Sequence, residues 1–265
     1  MQDLTVTLIQ TQLHWQQPEA NRAMLEEKIW QIDAETDLIV LPEMFTTGFS
    51  MQAEQQAEVA RSTTQKWMQQ LAKQRNSVIT GSYIAKEGGN YYNRLLWVEP
   101  TGTVLHYHKR HLFRMANEHH HYSAGTERLV CQWRGWRVCP LVCYDLRFPV
   151  WSRNRAFGSA EQEPVYDLLL YVANWPAARQ QAWDVLLPAR AVENLSYTLG
   201  VNRVGEDGNQ IAYSGGSGVY DFKGNTLWLQ HEQEASKTIT LSAEALLEYR
   251  QKFPAHLDAD VFTVE

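Results

Sequence analysis

The sequence predicts an α/β protein. The prediction rests on a strand-helix-strand series at the start of the chain and on two later apolar runs. The chain opens with an apolar strand at residues 4–9, a segment of helical spacing at 18–32 and a second apolar strand at 37–41. Strand, helix and strand in this order are typical of a sheet covered by helices. Two more apolar runs, at 138–142 and 166–172, have the length of buried strands. We therefore expect a mixed sheet system with helices on its faces.

The rest of the first half alternates between helix, strand and loop patterns. Residues 56–74 have helical spacing, and 77–84 form an apolar run typical of a buried strand. Two alternating segments, 93–99 and 103–108, flank a Pro-Thr-Gly turn and predict a hairpin. Residues 113–127 are polar and aromatic without periodicity, which predicts a long loop. Loops of this length in a compact domain are often active-site lids.

The second half adds short strands and three helices. A proline in the first turn favours a helix over 150–156, and a polar linker follows at 157–164. The remaining expected elements are a helix at 183–195, strands at 197–202, 218–222, 226–230 and 238–241, and a last helix at 243–252.

Composition and charge exclude several classes of protein. The chain has no internal repeat or low-complexity linker, so one domain over residues 1–265 is expected. A net charge of −6 argues against a nucleic-acid binder. No apolar run approaches the roughly 18 residues that span a membrane, and the amino terminus lacks the pattern of a signal peptide.

The cysteines and histidines give no pattern of metal ligands. The three cysteines cannot all pair and have no metal-ligand spacing, so a reduced cytoplasm is the simplest setting. The run His119-His120-His121 suggests a metal site at first sight. Adjacent side chains diverge, however, so this run is expected on a loop or rim, and no metal is predicted.

Cys143 stands where the apolar strand 138–142 ends and polar residues begin. A strand-to-helix turn offers free backbone N–H groups and a positive helix end, which favour a thiolate and any nearby oxyanion. In isolation, a cysteine in an apolar run is more often a small buried hydrophobe. Cys131 and Cys139 fit that description and are expected in the core.

Two other apolar strands also end on reactive side chains. Glu43 follows the strand at 38–41, and Lys109 follows the strand at 104–107. Groups at strand ends can converge at one edge of an α/β sheet. A carboxylate can take a thiol proton and later activate water, and a cation can hold an oxyanion. Together with Cys143, these residues form a candidate catalytic set.

The strings around these residues make the chain resemble the nitrilase superfamily of carbon–nitrogen hydrolases, from residue 4 to about 254. The strings are Leu41-Pro42-Glu43, 107–113 and 142–149, supported by 174–176, 189–194 and 202–205. The resemblance implies a Glu-Lys-Cys triad at Glu43, Lys109 and Cys143, with a further glutamate at Glu118. It also implies a four-layer α-β-β-α sandwich, normally dimerised through helices. The chemistry of the superfamily requires no cofactor.

Within the superfamily, the string 143–149 most resembles the omega-amidase branch. Members of that branch hydrolyse the terminal amide of short dicarboxylate monoamides such as α-ketoglutaramate or 2-oxosuccinamate. The chain departs from the wider pattern at Val150, where an acidic residue is common, and at 157–164, which looks longer than usual. Neither departure touches the triad.

Substrate-binding candidates surround the nucleophile in the sequence. If the turn after Cys143 enters a helix, Arg147 points back over the cysteine, and its guanidinium suits a substrate carboxylate. The alternative is an ion pair with Asp145 or a helix neighbour. Trp175 either walls the pocket or simply packs, and Tyr144 and Phe113 are further candidates. Arg190 and Glu193 are expected to be structural, as a pair three residues apart on a helix.

Three functions remain open from the sequence. The first is an omega-amidase that releases ammonia through an acyl-enzyme on Cys143. The second is another activity of the superfamily, such as a nitrilase, a carbamoylase or another aliphatic amidase. The third is a catalytically idle binding protein, which the complete triad disfavours. Arg147 favours the first function, so the expected substrate is a small amide bearing a carboxylate. The resemblance implies a homodimer, and the cysteines favour a cytoplasmic setting. Neither nucleic acid nor a membrane is an expected partner.

Overall fold

The computed structural model describes residues 1–159 and 161–264 and contains two seven-stranded sheets. Ala160, within the expected linker 157–164, and Glu265, at the end of the expected domain, lie outside the described residues. In the described part of the chain the strands are β1 (Leu4–Gln10), β2 (Leu38–Val40), β3 (Glu58–Val59), β4 (Val78–Glu87), β5 (Asn90–Val98), β6 (Val104–His108), β7 (Cys131–Trp133), β8 (Trp136–Val142), β9 (Leu168–Val172), β10 (Tyr197–Val201), β11 (Val204–Glu206), β12 (Ala212–Tyr220), β13 (Thr226–His231) and β14 (Ala235–Leu241).

Helices of very different lengths connect these strands. The α-helices of the described residues are α1 (Pro18–Trp30), α2 (Ala53–Gln56), α3 (Thr63–Arg75), α4 (Glu118–His121), α5 (Pro149–Ser152), α6 (Gln180–Asn194) and α7 (Ala243–Lys252). Turns of 3-10 helix occur at Arg114–Ala116, Cys143–Arg147, Ala177–Arg179 and Ala255–Asp258. No helix in the described ranges has both the length and the apolar character needed to cross a bilayer.

Each sheet mixes parallel and antiparallel pairs. The first sheet has the order β14-β1-β2-β4-β5-β6, with β3 beside β4, and β1, β2 and β4 run parallel. The second sheet has the order β11-β12-β10-β9-β8-β7, with β13 beside β12, and β8, β9 and β10 run parallel. The predicted mixed sheet system is confirmed.

The side chains of β2 explain why its sequence is apolar without alternation. Leu38 and Val40 belong to the core that the two sheets share. Ile39 instead packs in a second core with residues of α1 and α3, such as Leu25 and Met68. A strand covered on both faces has no polar side to present. On the second sheet, Trp183 and Leu187 of α6 lie against Gly200 of β10. Helix, sheet, sheet and helix form the expected four layers.

Two predicted helices are wrong in their extent. The expected helix at 56–74 divides into α2, β3 and α3, because Glu58–Val59 pairs with β4 and Ser62 caps α3 by accepting from the backbone N–H of Gln65. The expected helix at 150–156 ends at Ser152. Asn154 donates its amide to backbone oxygens of Tyr166 and Asn194 instead, so tertiary contacts replace a second helical turn.

Smaller elements also differ from the sequence prediction. The expected loop at 113–127 contains a 3-10 turn and α4, and the three-residue strands β7 and β11 were not predicted. These elements are too short for a periodic pattern to reveal them.

Candidate active site

Glu43 follows β2 on a segment that lies directly on β4. The backbone N–H of Phe45 donates to the Ser82 oxygen at 3.0 Å, which ties the segment to the strand. Gly81 permits the approach, because a Cβ there would stand 2.8 Å from the Cβ of Leu41. The backbone that carries Glu43 is therefore held close to β4 on both sides of the residue.

Cys143 begins the 3-10 turn after β8 and has φ +46°, in the left-handed region. Such a conformation costs a non-glycine residue on the order of 1–3 kcal/mol, so the surroundings must stabilise it. Asp145 does so within the turn, since its Oδ2 accepts from the backbone N–H of Val142 at 3.0 Å and from the Tyr107 hydroxyl at 2.7 Å. The turn thus presents Cys143 in a fixed direction.

The other side chains at this turn are structural. Asp145 Oδ1 also accepts from the backbone N–H of His111 at 2.9 Å, so the predicted alternative of an Arg147–Asp145 ion pair does not occur. Arg190 donates to the Leu146 carbonyl oxygen at 2.7 Å and pairs with Glu193 at 3.0 Å, as expected of a supporting residue.

The electrostatics at Cys143 differ from the sequence expectation. A 3-10 turn and the four-residue α5 replace the long helix whose positive end was expected to favour a thiolate. The nearby positive charge is the Lys109 ammonium instead, which opposes the rise in the thiol pKa.

Lys109 joins two glutamates in a fully buried cluster. Its Nζ lies 3.0 Å from Glu43 Oε1 and 3.0 Å from each carboxylate oxygen of Glu118. Asn93 donates to Glu43 Oε1 at 2.7 Å, and the backbone N–H of Asn174 donates to Glu43 Oε2 at 2.7 Å. The Glu43 carboxylate therefore accepts from three donors.

Burial and charge set the protonation of this cluster. Burial alone lowers the pKa of Lys109, but Glu118 and Glu43 outweigh it and raise that pKa above its ordinary value. Burial raises the pKa of Glu118, against the effect of Lys109. Burial and the charge of Glu43 raise the pKa of Cys143 well above the usual range. The resting site therefore holds the Lys109 ammonium and a neutral Cys143 thiol.

A cavity opens at Cys143. Asn174 also lines it, and its carbonyl oxygen lies 4.0 Å from Cys143 Sγ. Cys143 and Asn174 thus connect the buried cluster to the cavity. The lining residues are Phe49, Phe113, Ala116, Cys143, Tyr144, Arg147, Asn174, Trp175, Pro176, Arg179, Ile211 and Tyr213.

All four predicted substrate-binding residues line this cavity. The Arg147 guanidinium stands 5.0 Å from the centre of the Trp175 ring, and no salt bridge to it is formed by residues 1–159 or 161–264. Trp175 both walls the cavity and packs, since its ring lies 5.4 Å from that of Trp183. Tyr144 and Phe113 contact each other edge to face at 5.0 Å.

Sequence reasoning missed several residues of the site. Asn93 and Asn174 hold Glu43, and Arg179, Tyr213 and others line the cavity. Asn174 was noticed only as part of a supporting string. No local pattern distinguishes Arg179 from other arginines, because its position depends on how the 3-10 turn 177–179 packs.

The structure also brings three potential metal ligands together away from this cavity. Ligand atoms of Glu87, His106 and His108 lie within 4.8 Å of one another. Arg94 donates to His108 Nε2 at 2.8 Å and also to Glu87. A guanidinium therefore already supplies the positive charge between these groups. The histidines of 119–121 lie on α4, next to the buried Glu118.

Comparison with known proteins places these features in a family. A model of carbon–nitrogen hydrolases matches residues 5–253. The chain is 48% identical to the omega-amidase YafV of Escherichia coli and 28% identical to the 2-oxoglutaramate amidase of Bacillus subtilis, with 99% and 96% of each chain covered in the two cases. A CN-hydrolase superfamily protein of Xanthomonas campestris, solved with an arsenic adduct in its active site, is 47% identical over the whole of both chains with a TM-score of 0.96. This chain belongs to the carbon–nitrogen hydrolase family, and the predicted resemblance to the nitrilase superfamily is confirmed.

Proposed function

We propose that this protein is an omega-amidase, which hydrolyses the terminal amide of a short dicarboxylate monoamide to the acid and ammonia. One feature supports the proposal above the others. The same cavity is lined by Cys143, beside the buried Glu43–Lys109–Glu118 cluster, and by an Arg147 that has no carboxylate partner among the described residues. The similarity to YafV and to a 2-oxoglutaramate amidase supports the same substrate class.

In the proposed first step, Glu43 accepts the proton of the Cys143 thiol while Sγ attacks the amide carbon. Transfer at the moment of attack avoids a free thiolate, whose formation burial opposes. The carbonyl π electrons move onto oxygen, where the Lys109 ammonium stabilises the oxyanion. The oxyanion collapses, the C–N bond breaks, and Glu43 returns its proton to the departing ammonia. A thioester on Cys143 remains.

In the proposed second step, water hydrolyses the thioester. Glu43 accepts a proton from water as its oxygen attacks the acyl carbon. Collapse breaks the C–S bond, Cys143 regains the proton, and the carboxylic acid product leaves. Glu118 acts on this cycle through Lys109, because both its oxygens lie 3.0 Å from Nζ and fix the direction of the ammonium.

Ammonia release from a panel of amides tests the proposal. We expect the wild type to prefer 2-oxosuccinamate and succinamate over the neutral butyramide and over butyronitrile. A preference for the neutral amide or the nitrile would contradict the omega-amidase and leave another carbon–nitrogen hydrolase activity. Absence of turnover on the entire panel would favour an idle binding protein.

A pair of cysteine variants tests the nucleophile. Cys143→Ala should lower kcat by at least about 10³-fold, because no other group supplies the covalent step. The matched control is Cys131→Ala, which removes a buried thiol elsewhere in the shared core and should leave kcat within a few-fold. Mass spectrometry during turnover should find the acyl adduct on Cys143. An adduct on either other cysteine would contradict the mechanism.

We further propose a homodimer in the cytoplasm. Apolar side chains of Val150, Val192 and Phe253 are about half exposed, which supports an interface through the helices that the family resemblance implies. All three cysteines are free, which supports a reducing compartment. A monomer in light scattering at micromolar concentration would contradict the dimer.

A further inference from the structure

We propose that Arg179 is a second substrate-binding cation, which selects amides with an oxo group beside the carboxylate and rejects those with an ammonium there. This inference rests on the proposed function and extends it to the identity of the group at carbon 2. Arg179 ends the 3-10 turn Ala177–Arg179 and lines the same cavity as Arg147 and Cys143.

The Arg179 guanidinium has no charged partner in the part of the chain that the structure describes. Its carbon lies 5.2 Å from the centre of the Phe113 ring, and its Nη1 donates to the sulfur of Met115 at 3.7 Å. A thioether is a weak acceptor, and a guanidinium carries five N–H donors. Most of the donors of Arg179 are therefore available to a ligand.

Trp175 contacts the guanidinium of one cavity arginine and the backbone of the other. Its ring faces the Arg147 guanidinium at 5.0 Å, and its Nε1 donates to the backbone oxygen of Arg179 at 2.8 Å. Trp175 is itself buried and packs on Trp183, so both attachments are made to a rigid support. One indole therefore supports the Arg147 guanidinium and the backbone from which the Arg179 side chain extends.

The remaining lining offers no opposite charge. It contains aromatic, apolar, thiol and amide groups, and no aspartate or glutamate. The Tyr213 hydroxyl is already engaged, because it donates to Asp207 at 2.9 Å. Two unneutralised guanidiniums in one cavity therefore suit a ligand end that is rich in acceptor oxygens.

A 2-oxo acid has such an end. Its carboxylate and the adjacent oxo group present three acceptor oxygens in a row, which is more than one guanidinium can bind in its plane. Arg147 takes the carboxylate and Arg179 the oxo oxygen. A 2-amino acid amide carries an ammonium at the same place, where both guanidiniums repel it and no carboxylate of the lining offsets the repulsion.

Three amides of equal chain length test this assignment. They are 2-oxoglutaramate, glutaramate, which has two hydrogens at carbon 2, and L-glutamine, which has an ammonium there. Ammonia release is measured for the wild type, Arg179→Met, Arg179→Lys and Arg114→Met. Methionine keeps an unbranched side chain against Phe113, and the exposed Arg114 on the neighbouring turn is the matched control for loss of one positive charge.

We expect Arg179→Met to lower kcat/KM about tenfold or more on 2-oxoglutaramate and less than threefold on glutaramate. Its kcat/KM on L-glutamine should stay constant or rise, and Arg179→Lys should give intermediate ratios. Arg114→Met should change kcat/KM by the same factor on all three substrates. Equal losses on 2-oxoglutaramate and glutaramate, or ratios like those of Arg114→Met, would overturn the role of Arg179. Failure of the wild type on all three amides would instead overturn the proposed function.

Discussion

The buried lysine and the cavity arginines are cations in opposite situations. Lys109 is fully buried and lies within 3.0 Å of two carboxylates. Arg147 and Arg179 are half-buried, contact aromatic rings and have no carboxylate partner among the described residues. The difference separates two uses of positive charge. A cation matched by the protein stays in one place, whereas a cation left unmatched at a cavity is available to a ligand.

Desolvation explains why the two uses need different surroundings. An ammonium removed from water costs several kcal/mol unless carboxylates and hydrogen bonds replace the solvent. The half-buried guanidiniums keep part of their hydration and rest on aromatic faces, which stabilise a cation by roughly 0.5–1 kcal/mol or more. They can therefore remain without a partner until an anionic substrate arrives.

Removing the buried cation should give the largest effect. Lys109→Met leaves two carboxylates facing each other without a counterion, so we expect the free energy of unfolding to fall by about 3 kcal/mol and kcat by roughly 10³-fold. Urea unfolding and ammonia release measure the two losses separately.

A double variant distinguishes the loss of unfolding free energy in Lys109→Met from the loss of kcat. Lys109→Met combined with Glu118→Gln removes one of the opposed carboxylates and should recover part of the lost unfolding free energy, without recovering kcat. Recovery of activity by the double variant would mean that Lys109 serves only to neutralise Glu118.

Removing a cavity cation should affect the substrate and leave the fold intact. Arg147→Ala should lower kcat/KM by roughly 10²-fold for succinamate, because a bidentate charged contact is lost, and far less for butyramide. The melting temperature should change little, since within the described ranges the Arg147 side chain makes a ring contact with Trp175 and no ion pair. Equal losses on the two amides would show that Arg147 supports the turn of Cys143 and does not bind the substrate carboxylate.

The smallest effect, a pH dependence of stability, is expected near Arg94, a cation that pairs with Glu87 outside the cavity. Arg94 donates to His108 Nε2, which accepts only while the ring is neutral. Burial, and next the charge of Arg94, lower the pKa of His108 from its ordinary 6.5 to about 4. As the pH falls below 6.5 the unfolded chain binds this proton and the folded chain does not, so stability is lost between pH 6.5 and about 4.

His108→Gln should remove that pH dependence while keeping an acceptor for Arg94. We expect the wild type to lose about 1 kcal/mol more unfolding free energy than the variant between pH 7 and pH 4.5, since solvent weakens the effect on a partly exposed ring. The control is His120→Gln, a change at an exposed ring. Parallel loss of stability in wild type and His108→Gln would contradict the assignment.

The order of strands and helices could largely be predicted from the sequence. Apolar runs such as 38–41 and 138–142 are local signals, and Glu43 and Cys143 follow these runs within two residues. Division of the expected helix at 56–74 could not be predicted, because the pairing of β3 with β4 is a contact between distant residues.

The sequence by itself determined that apolar strands are followed by Glu43, Lys109 and Cys143, because the hydrophobic pattern of a strand depends on consecutive residues. Only the tertiary structure decided that Asn93 and Asn174 hold Glu43 and that Cys143 takes a left-handed backbone. It also decided which cavity arginines have no carboxylate partner within residues 1–159 and 161–264. These features arise where the ends of two sheets meet. Their energies depend on groups far apart in the chain, so no local pattern records them.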